Sequence, residues 1–424
     1  MRDVKFTNFI SIVVGTLGKL IISFLGSVLL ARNLTTDLLG NYYFILNIIV
    51  LISPFANFGL ATLAVKKFSG TWNNKEIFYS NVLILHCISS FITYLFLTCV
   101  GLLIFTDKVQ FIYLQVASIG SIFLAYVNVQ KYTHEAQLKM KIFQKNIILT
   151  AFIGLCIKYI TLLSTNNLTL LFFIYTMEIL FLTLLMYFHQ SNGRKFYVRF
   201  IDRRYLEKLI CTAFPMTLSS IMVVVYMKVD IFMLGLMTDY HQVSTYVIAA
   251  IVSEAWLFVP LAFVSTLYPT IQALYFNKKN AYYQNLRKMM LICLACMVLA
   301  TLIAVPVINY LIPVIYGSKF TASSAVVNFL ICASIFMCLG NIRSRHLTLV
   351  RAYKLQFYIS FLSAATNIAI NLLLIPVLGG EGAAIATLIT LLMNFLIFPC
   401  IHNEGRRFIY IFIGREFPAV IKNG

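Results

Sequence analysis

The sequence has few charged residues, and negatively charged ones are the scarcest. Charged residues make up 11% of the 424 and hydrophobic residues 61%, with 14 Asp and Glu against 33 Lys and Arg. Water-soluble globular chains carry roughly 25% charged residues, so this composition excludes a water-soluble fold. A net charge of +19 would otherwise suggest nucleic acid. Here the basic residues lie in short connections between apolar stretches, where they contact anionic lipid head groups, and we expect no nucleic-acid partner.

Sequence motifs of catalysis and metal binding are also lacking. No Gly-rich phosphate-binding loop is present, so we expect no ATP hydrolysis. Cys293 and Cys296 resemble a CxxC pair but have no second pair and no nearby His, which argues against a metal or redox site. The connections on one side of the predicted membrane are all short, such as residues 164–167. They leave no room for a catalytic domain, so we expect neither enzymatic activity nor a cofactor.

Long apolar segments are abundant instead. A helix needs about 20 apolar residues to cross a bilayer, and in lipid its backbone groups must be satisfied within the segment. Apolar runs of this kind occur near residues 8–31, 40–64, 77–105, 109–129, 143–163, 168–188, 210–237, 243–268, 289–312, 323–342, 355–378 and 383–402. The sequence therefore predicts an all-α polytopic membrane protein with about 12 transmembrane helices.

The basic residues are sorted between the two sets of connections. Of the 33 Lys and Arg, 27 fall on alternate connections, three on the opposite connections and three inside the spans. Lys and Arg in short loops are retained on the cytoplasmic side during insertion. This asymmetry predicts that both termini are cytoplasmic.

The longest polar connection divides the spans into two blocks of six. We expect an N-terminal lobe over residues 1–188, a basic cytoplasmic linker over 189–209, a C-terminal lobe over 210–402 and an amphipathic cytoplasmic tail over 403–424. Residues 40–63 can be aligned with residues 243–267, which favours a duplication. Repeats in the same orientation are related by an axis along the membrane normal, with a binding site between them.

Six ionisable residues lie inside the predicted spans. Such groups cost roughly 2.5 to 3.5 kcal/mol each at the bilayer centre and usually face a bundle interior or a wet cavity. They are Lys19, Lys158, Glu178, Lys228, Asp230 and Glu254. These residues are the first candidates for function.

Two interpretations of these charges stay open. Lys19, Lys158 and Lys228 could line a positively charged cavity between the lobes, where low dielectric strengthens attraction to a phosphate. Alternatively, the bases pair with the acids; Lys158 then pairs with Glu178 on the next helix, and Lys228 with Glu254. Asp230 follows Lys228 by two residues, so the two point to different faces of a helix. A Lys228–Glu254 pair that a proton or an anionic substrate opens could couple binding to a conformational change.

Four segments in order resemble the Wzx-type polysaccharide flippases, which carry O-antigen or capsule repeat units. This family lies within the multidrug/oligosaccharidyl-lipid/polysaccharide exporter superfamily. The segments are GKLIISFLGSVLLARNLTTDLLGNYYF in span 1, FPMTLSSIMVVVYMKVDIFMLGLM in span 7, PVINYLIPVIYGSKFTASSAVV in span 9 and its exit, and GGEGAAIATLIT at residues 379–390. The second of these is similar to a family pattern that includes the position of Asp230.

The resemblance implies export of an undecaprenyl-diphosphate-linked oligosaccharide across a bacterial cytoplasmic (inner) membrane, on the route to lipopolysaccharide or capsule. It also implies a cationic central cavity, to which the three lysines could correspond, and coupling to H⁺ or Na⁺. A polysaccharide polymerase and a chain-length regulator are the protein partners that it implies.

Two other transporters remain alternatives. An ion-coupled multidrug/cation antiporter of the same superfamily would favour an acidic, aromatic pocket, whereas three intramembrane lysines favour an anionic cargo. A lipid II flippase usually carries fourteen spans, and 424 residues leave no room for them. A membrane polymerase would need a large outward loop with catalytic residues, which this sequence lacks.

Overall fold

The computed structural model describes residues 2–69, 75–190 and 197–414. These residues form α-helices joined by short turns and single 3-10 turns, with no β-strand among them. The α-helices are α1 (Arg2–Asn33), α2 (Thr36–Asn57), α3 (Ala61–Ser69), α4 (Lys75–Ile104), α5 (Lys108–Ala136), α6 (Met140–Ser164), α7 (Leu168–Phe188), α8 (Arg203–Met237), α9 (Tyr240–Asn277), α10 (Lys279–Tyr316), α11 (Ser323–Leu349), α12 (Tyr353–Leu396) and α13 (Asn403–Ile413). The predicted all-α class is confirmed.

Eleven of these helices are long and apolar enough to cross a membrane, and only α3 and α13 are too short. The last of the eleven comprises two segments, because Gly379 interrupts α12 with φ 54° and ψ −129°. Counted separately, the segments on either side of Gly379 bring the number of spans to the predicted twelve. The protein is a multi-pass membrane protein.

The second span ends earlier than predicted. The sequence predicts a run to residue 64, whereas α2 ends at Asn57 and α3 begins at Ala61. Between them Phe58 and Gly59 adopt left-handed conformations, with φ 46° and 56°. A Cβ on Gly59 would lie 2.6 Å from the backbone nitrogen of Thr217. The break therefore follows from a close approach between this turn and α8.

Two compact units can be distinguished, Met1–Val224 and Val225–Gly424. The division lies inside α8 and differs from the predicted linker at residues 189–209, of which residues 191–196 lie outside the described residues. The physical reason is that Leu209 and Ala213, in the first half of α8, belong to a buried cluster with Leu60, Ala64 and Phe68. That half of α8 is therefore part of the N-terminal unit.

The C-terminal unit is built around a buried cluster to which α9 to α13 contribute, including Tyr282, Leu286, Phe395 and Phe408. The predicted amphipathic tail begins with α13, and residues 415–424 lie outside the described residues. Phe408 of α13 is fully buried, and its ring centroid lies 5.5 Å from that of His346. The apolar face of α13 is therefore covered by the unit's own helices.

Candidate functional site

Lys19 lies on a polar, exposed side of α1. The apolar residues Val14, Ile21 and Leu25 are exposed on another side of this helix. At about 100° per residue, Lys19 is rotated by roughly 120° to 160° from each of them. Lys19 is itself exposed, and no hydrogen bond or ion pair joins it to another described residue. It is therefore turned away from the apolar surface that suits lipid.

Lys158 and Glu178 form an ion pair inside the N-terminal unit. The Nζ of Lys158 lies 3.0 Å from Oε2 of Glu178, and their side chains are 15% and 22% exposed. Gly154, one turn before Lys158, leaves room for the carboxylate, since a Cβ there would lie 2.5 Å from that same oxygen. The pairing of Lys158 with Glu178, one of the two interpretations that the sequence leaves open, is present in the structure.

Lys228 and Glu254 form a second ion pair, in the C-terminal unit. The Nζ of Lys228 lies 2.5 Å from Oε1 of Glu254, and the side chains are 26% and 50% exposed. This pair joins α8 to α9, as the sequence predicts for adjacent antiparallel spans. It is more accessible than the pair between α6 and α7.

Asp230 is buried and held by neutral hydrogen-bond donors. Its Oδ2 accepts hydrogen bonds from the hydroxyls of Tyr246 at 2.7 Å and Thr387 at 2.6 Å. Its Oδ1 accepts one from Nδ2 of Asn371 at 2.7 Å, and that amide also donates to Oδ1 of Asn367 at 3.1 Å. No Lys or Arg among the described residues forms an ion pair with Asp230. Lys228 and Asp230 thus have separate partners, as their spacing predicts.

The two segments of α12 run antiparallel, and each contributes one hydrogen-bond donor to Asp230. Asn371 lies before the break at Gly379 and Thr387 after it, and both contact the same carboxylate. Further along, Nδ2 of Asn394 donates to Oγ of Ser363 at 2.6 Å. These two polar partners of Asp230, Asn371 and Thr387, were not predicted from the sequence. The signal that could have found them is the presence of Asn and Thr in otherwise apolar spans.

The tight turn of this hairpin explains the glycines of the GGEG segment. A Cβ on Gly382 would lie 2.5 Å from the backbone oxygen of Leu374. The backbone N–H of Gly380 donates to Oε1 of Gln242 at 3.1 Å. The sequence pattern noted at residues 379–390 therefore contains the turn that aligns Asn371 with Thr387.

A cavity of about 80 Å³ within the C-terminal unit is bordered by both Asp230 and the Lys228–Glu254 pair. One water molecule needs roughly 10–15 Å³ on this measure, so the cavity has space for a few waters. It is far too small for an oligosaccharide. No group of three or more His, Cys, Asp or Glu side chains in the described residues could hold a metal ion. A small cation here would need amide and hydroxyl oxygens beside Asp230.

The candidate lysines are divided between the two units. Lys19 and Lys158 belong to Met1–Val224, and Lys228 belongs to Val225–Gly424. A common cavity lined by all three stays a prediction.

Comparison with known proteins gives the family. The family model described as "Polysaccharide biosynthesis protein" matches residues 6–275. The chain belongs to this family. No curated protein matches the sequence.

Solved structures show which known folds this chain resembles. The lipid II flippase MurJ, in an inward closed conformation, superimposes with a TM-score of 0.65 at 18% identity, covering 94% of this chain and 89% of that one. A multidrug resistance MATE family transporter, in an inward-facing conformation, gives 0.68 at 14% identity, covering 94% and 96%. A transporter of the same MOP superfamily from Pyrococcus furiosus gives 0.57 at 15% identity, covering 96% of each chain. The predicted resemblance to a polysaccharide family is confirmed by the family match, and the solved structures show that the fold is shared with these transporters.

The family match and the site overlap only in part. Residues 6–275 include all six intramembrane charges, from Lys19 to Glu254. Asn371 and Thr387, the partners of Asp230 on α12, lie beyond the matched region. The solved structures that share this fold, as reported above, are a flippase and transporters rather than enzymes.

Proposed function

We propose that this protein is a flippase for a lipid-linked oligosaccharide diphosphate, with an O-antigen or capsule repeat unit as cargo. Membership of the polysaccharide biosynthesis family supports a glycan cargo. The observation that carries the proposal is Lys19, an exposed intramembrane lysine without a counter-ion among the described residues. A cation at that depth is costly, and a passing diphosphate would compensate it.

Lys158 and Lys228 have a second role in the proposal. Both ammonium groups are neutralised by glutamates, 3.0 Å and 2.5 Å away. The Lys228 pair is the more exposed, so an anionic cargo would compete with Glu254 more readily than with Glu178. We propose that competition of this kind links cargo binding to alternating access.

Asp230 is the residue proposed to respond to the coupling ion. Its carboxylate, the amide oxygens of Asn367 and Asn371, and the hydroxyl of Thr387 are the hard oxygen ligands that small cations prefer. Oδ1 of Asn371 is buried without a hydrogen-bond partner among the described residues, and a cation would satisfy it. H⁺ binding at Asp230 would remove the negative charge that Tyr246 and Thr387 now solvate, and Na⁺ binding would compensate it.

The proposal also concerns the location of the protein in the cell and its protein partners. We propose that the protein lies in a bacterial cytoplasmic (inner) membrane with both termini inside, and that it catalyses no reaction. It would pass its cargo to a polysaccharide polymerase, working with a chain-length regulator. Membrane lipids surround its exposed apolar faces.

The experiment that tests this function measures which leaflet accumulates lipid-linked oligosaccharide in cells lacking the protein. We expect accumulation in the inner leaflet, reversed by the wild-type gene. Replacing Lys19, Lys158 and Lys228 together by Gln should prevent that reversal although the protein still inserts. Glycan reaching the cell surface at the normal rate would contradict the proposal. Normal glycan export with altered drug sensitivity would instead support the multidrug/cation antiporter.

The pH profile tests the role of the Lys228–Glu254 pair. Glu254→Gln removes a group that a proton would neutralise, so we expect the pH dependence of transport to differ from that of the wild type. The measurement is the initial rate of transport into proteoliposomes at several pH values. A pH profile identical to that of the wild type would count against a role for Glu254 in coupling.

A further inference from the structure

The end of α11 forms a turn with an arginine in an unusual conformation. The N–H of Ala352 donates to the oxygen of Leu347 at 2.8 Å, and the N–H of Arg351 donates to that of Thr348 at 3.2 Å. This is the Schellman pattern, whose left-handed position is usually Gly. Arg351 occupies it with φ 60°. Its side chain is exposed and makes no hydrogen bond or ion pair with another described residue.

Arg351 borders a cavity of about 320 Å³ in the C-terminal unit, distinct from the one beside Asp230. The cavity lies among α9, the end of α11 and the start of α12, and no carboxylate lines it. Its polar and charged lining residues are Gln272, Ser344, Arg345, Thr348, Arg351 and Tyr353. The charge distribution of the sequence assigns this end of the helices to the cytoplasmic side.

The second guanidinium of the cavity is held in place by three contacts. Nη2 of Arg345 donates to Oγ of Ser265 at 2.9 Å, and its Nε donates to Oδ1 of Asn341 at 3.0 Å. Its Cζ lies 5.7 Å from the centroid of the Tyr268 ring. The two hydrogens on Nη1 make no hydrogen bond with any described residue. Arg345 is therefore fixed in position and still has donors to offer.

We propose that this cavity binds the phosphate-bearing head group of a lipid at the cytoplasmic surface. Guanidinium groups bind phosphate oxygens through paired hydrogen bonds. Basic cavities between membrane helices on the cytoplasmic side are suited to phosphorylated head groups. Two arginines, three hydroxyls and an amide without any carboxylate match that chemistry. If these arginines served only to orient the helices during membrane insertion, positive charge in the loop would be sufficient. A cavity around a guanidinium that is fixed in position would not be needed for that purpose.

The N-terminal unit contains a matched control. At the end of α5, the N–H of Lys139 donates to the oxygen of His134 at 2.9 Å, and that of Leu138 donates to Glu135 at 3.2 Å. Leu138 has φ 57°. The same turn therefore occurs with a leucine where the C-terminal unit has Arg351. Backbone strain alone does not mark a ligand site, and the cavity with two guanidiniums is what distinguishes the C-terminal turn.

The first test uses inorganic pyrophosphate and the purified full-length protein in a neutral detergent, with binding measured by isothermal titration calorimetry. We expect Arg351→Gly to weaken binding by about tenfold or more, the usual effect of losing a hydrogen-bonded charge. Its melting temperature should not fall, because Gly suits the left-handed conformation. Leu138→Gly should leave the affinity unchanged. Arg345→Lys should weaken binding although it keeps the charge.

The result that would overturn the proposal is an Arg351→Gly protein that binds pyrophosphate as tightly as the wild type. A second set of measurements in nanodiscs identifies the source of the head group. Polyprenyl diphosphate in neutral lipid is compared with phosphatidylglycerol at equal total charge. Tighter binding of the diphosphate would identify a polyprenyl head group, and equal affinities would identify bulk anionic lipid; both support the proposal if binding depends on Arg351. Because no transport is measured, this test fails or succeeds independently of the proposed flippase activity.

Discussion

The two units of the chain each hold a lysine–glutamate pair within membrane-spanning helices, and the pairs differ in their surroundings. The N-terminal pair is 15% and 22% exposed, with a glycine beside the carboxylate. The C-terminal pair is 26% and 50% exposed and borders a cavity shared with Asp230. Charges of the same type can therefore serve different purposes. The enclosed pair suits a structural role, and the accessible pair suits exchange with a ligand.

Asp230 deepens the contrast between the units. It is the only Asp or Glu that is buried among the described residues, and three neutral donors solvate it in place of a cation. Burying a charge in this way is costly unless it is hydrogen-bonded or can be neutralised. The feature that responds to an ion is therefore expected in the C-terminal unit.

The largest effect is expected from Asp230→Asn, which keeps the shape of the side chain and removes its charge. If the C-terminal unit carries the coupling, transport into proteoliposomes should fall by roughly tenfold or more, an activation difference of at least about 1.4 kcal/mol. The matched control is Glu178→Gln in the N-terminal unit, which should lose less. Equal losses in the two variants would remove the functional asymmetry between the units.

Replacing the lysine of each pair by Ala should have different consequences in the two units. Lys158→Ala should lower the free energy of unfolding more than Lys228→Ala does, whereas Lys228→Ala should lower transport more. Lys158→Ala leaves Glu178 unpaired in a mostly buried place, which typically costs about 3–5 kcal/mol of the free energy of unfolding. Lys228→Ala leaves a half-exposed Glu254 and should cost only about 1 kcal/mol. We expect the transport loss to be larger for Lys228→Ala. Unfolding in a denaturing detergent and transport by the folded fraction are the two measurements.

A charge reversal controls for loss of packing in that experiment. The double variant Lys158→Glu with Glu178→Lys restores an ion pair with the same two side chains, and it should regain much of the stability. If Lys158→Ala and Lys228→Ala lose the same free energy of unfolding, the difference in burial between the two pairs has no effect on stability.

Local patterns made a large part of this molecule predictable from the sequence. Hydropathy along the chain identified the spans because each must be apolar over its own length. The pairs Lys158–Glu178 and Lys228–Glu254 were predictable because consecutive spans are neighbours in space. The turn at Gly59 was not, since it depends on Thr217, far away in the sequence.

The site around Asp230 was predictable only in part. The residue itself stood out as a charge in an apolar span. Its partners Asn371 and Thr387 are 141 and 157 residues away, and no short-range pattern reports such contacts. The interruption at Gly379 that aligns them was visible only as a glycine-rich segment.

A smaller effect is expected where helices approach closely in the two units. In Gly382→Ala the new Cβ would lie 2.5 Å from the backbone oxygen of Leu374. In Gly154→Ala it would lie 2.5 Å from Oε2 of Glu178. The backbone of Leu374 cannot move without shifting the hairpin, so Gly382→Ala should cost about 1–3 kcal/mol. The Glu178 side chain can rotate, so Gly154→Ala should cost less. Melting temperatures of the two variants check this, and equal shifts would show that the hairpin is no more rigid than a side chain.

The smallest effect is expected at Leu138, the counterpart of Arg351 in the N-terminal unit. A left-handed conformation costs an L-residue about 1–2 kcal/mol, and Leu138→Gly relieves it. Gly also loses more conformational entropy on folding, by about 0.5–1 kcal/mol. In addition, the leucine side chain is only 39% exposed, so its removal loses the packing of the buried part. The net change in the free energy of unfolding should therefore stay below about 1 kcal/mol. Leu138→Ala loses the packing and keeps the strain, so it should be less stable than Leu138→Gly; the reverse order would show that the turn at the end of α5 is not left-handed in solution.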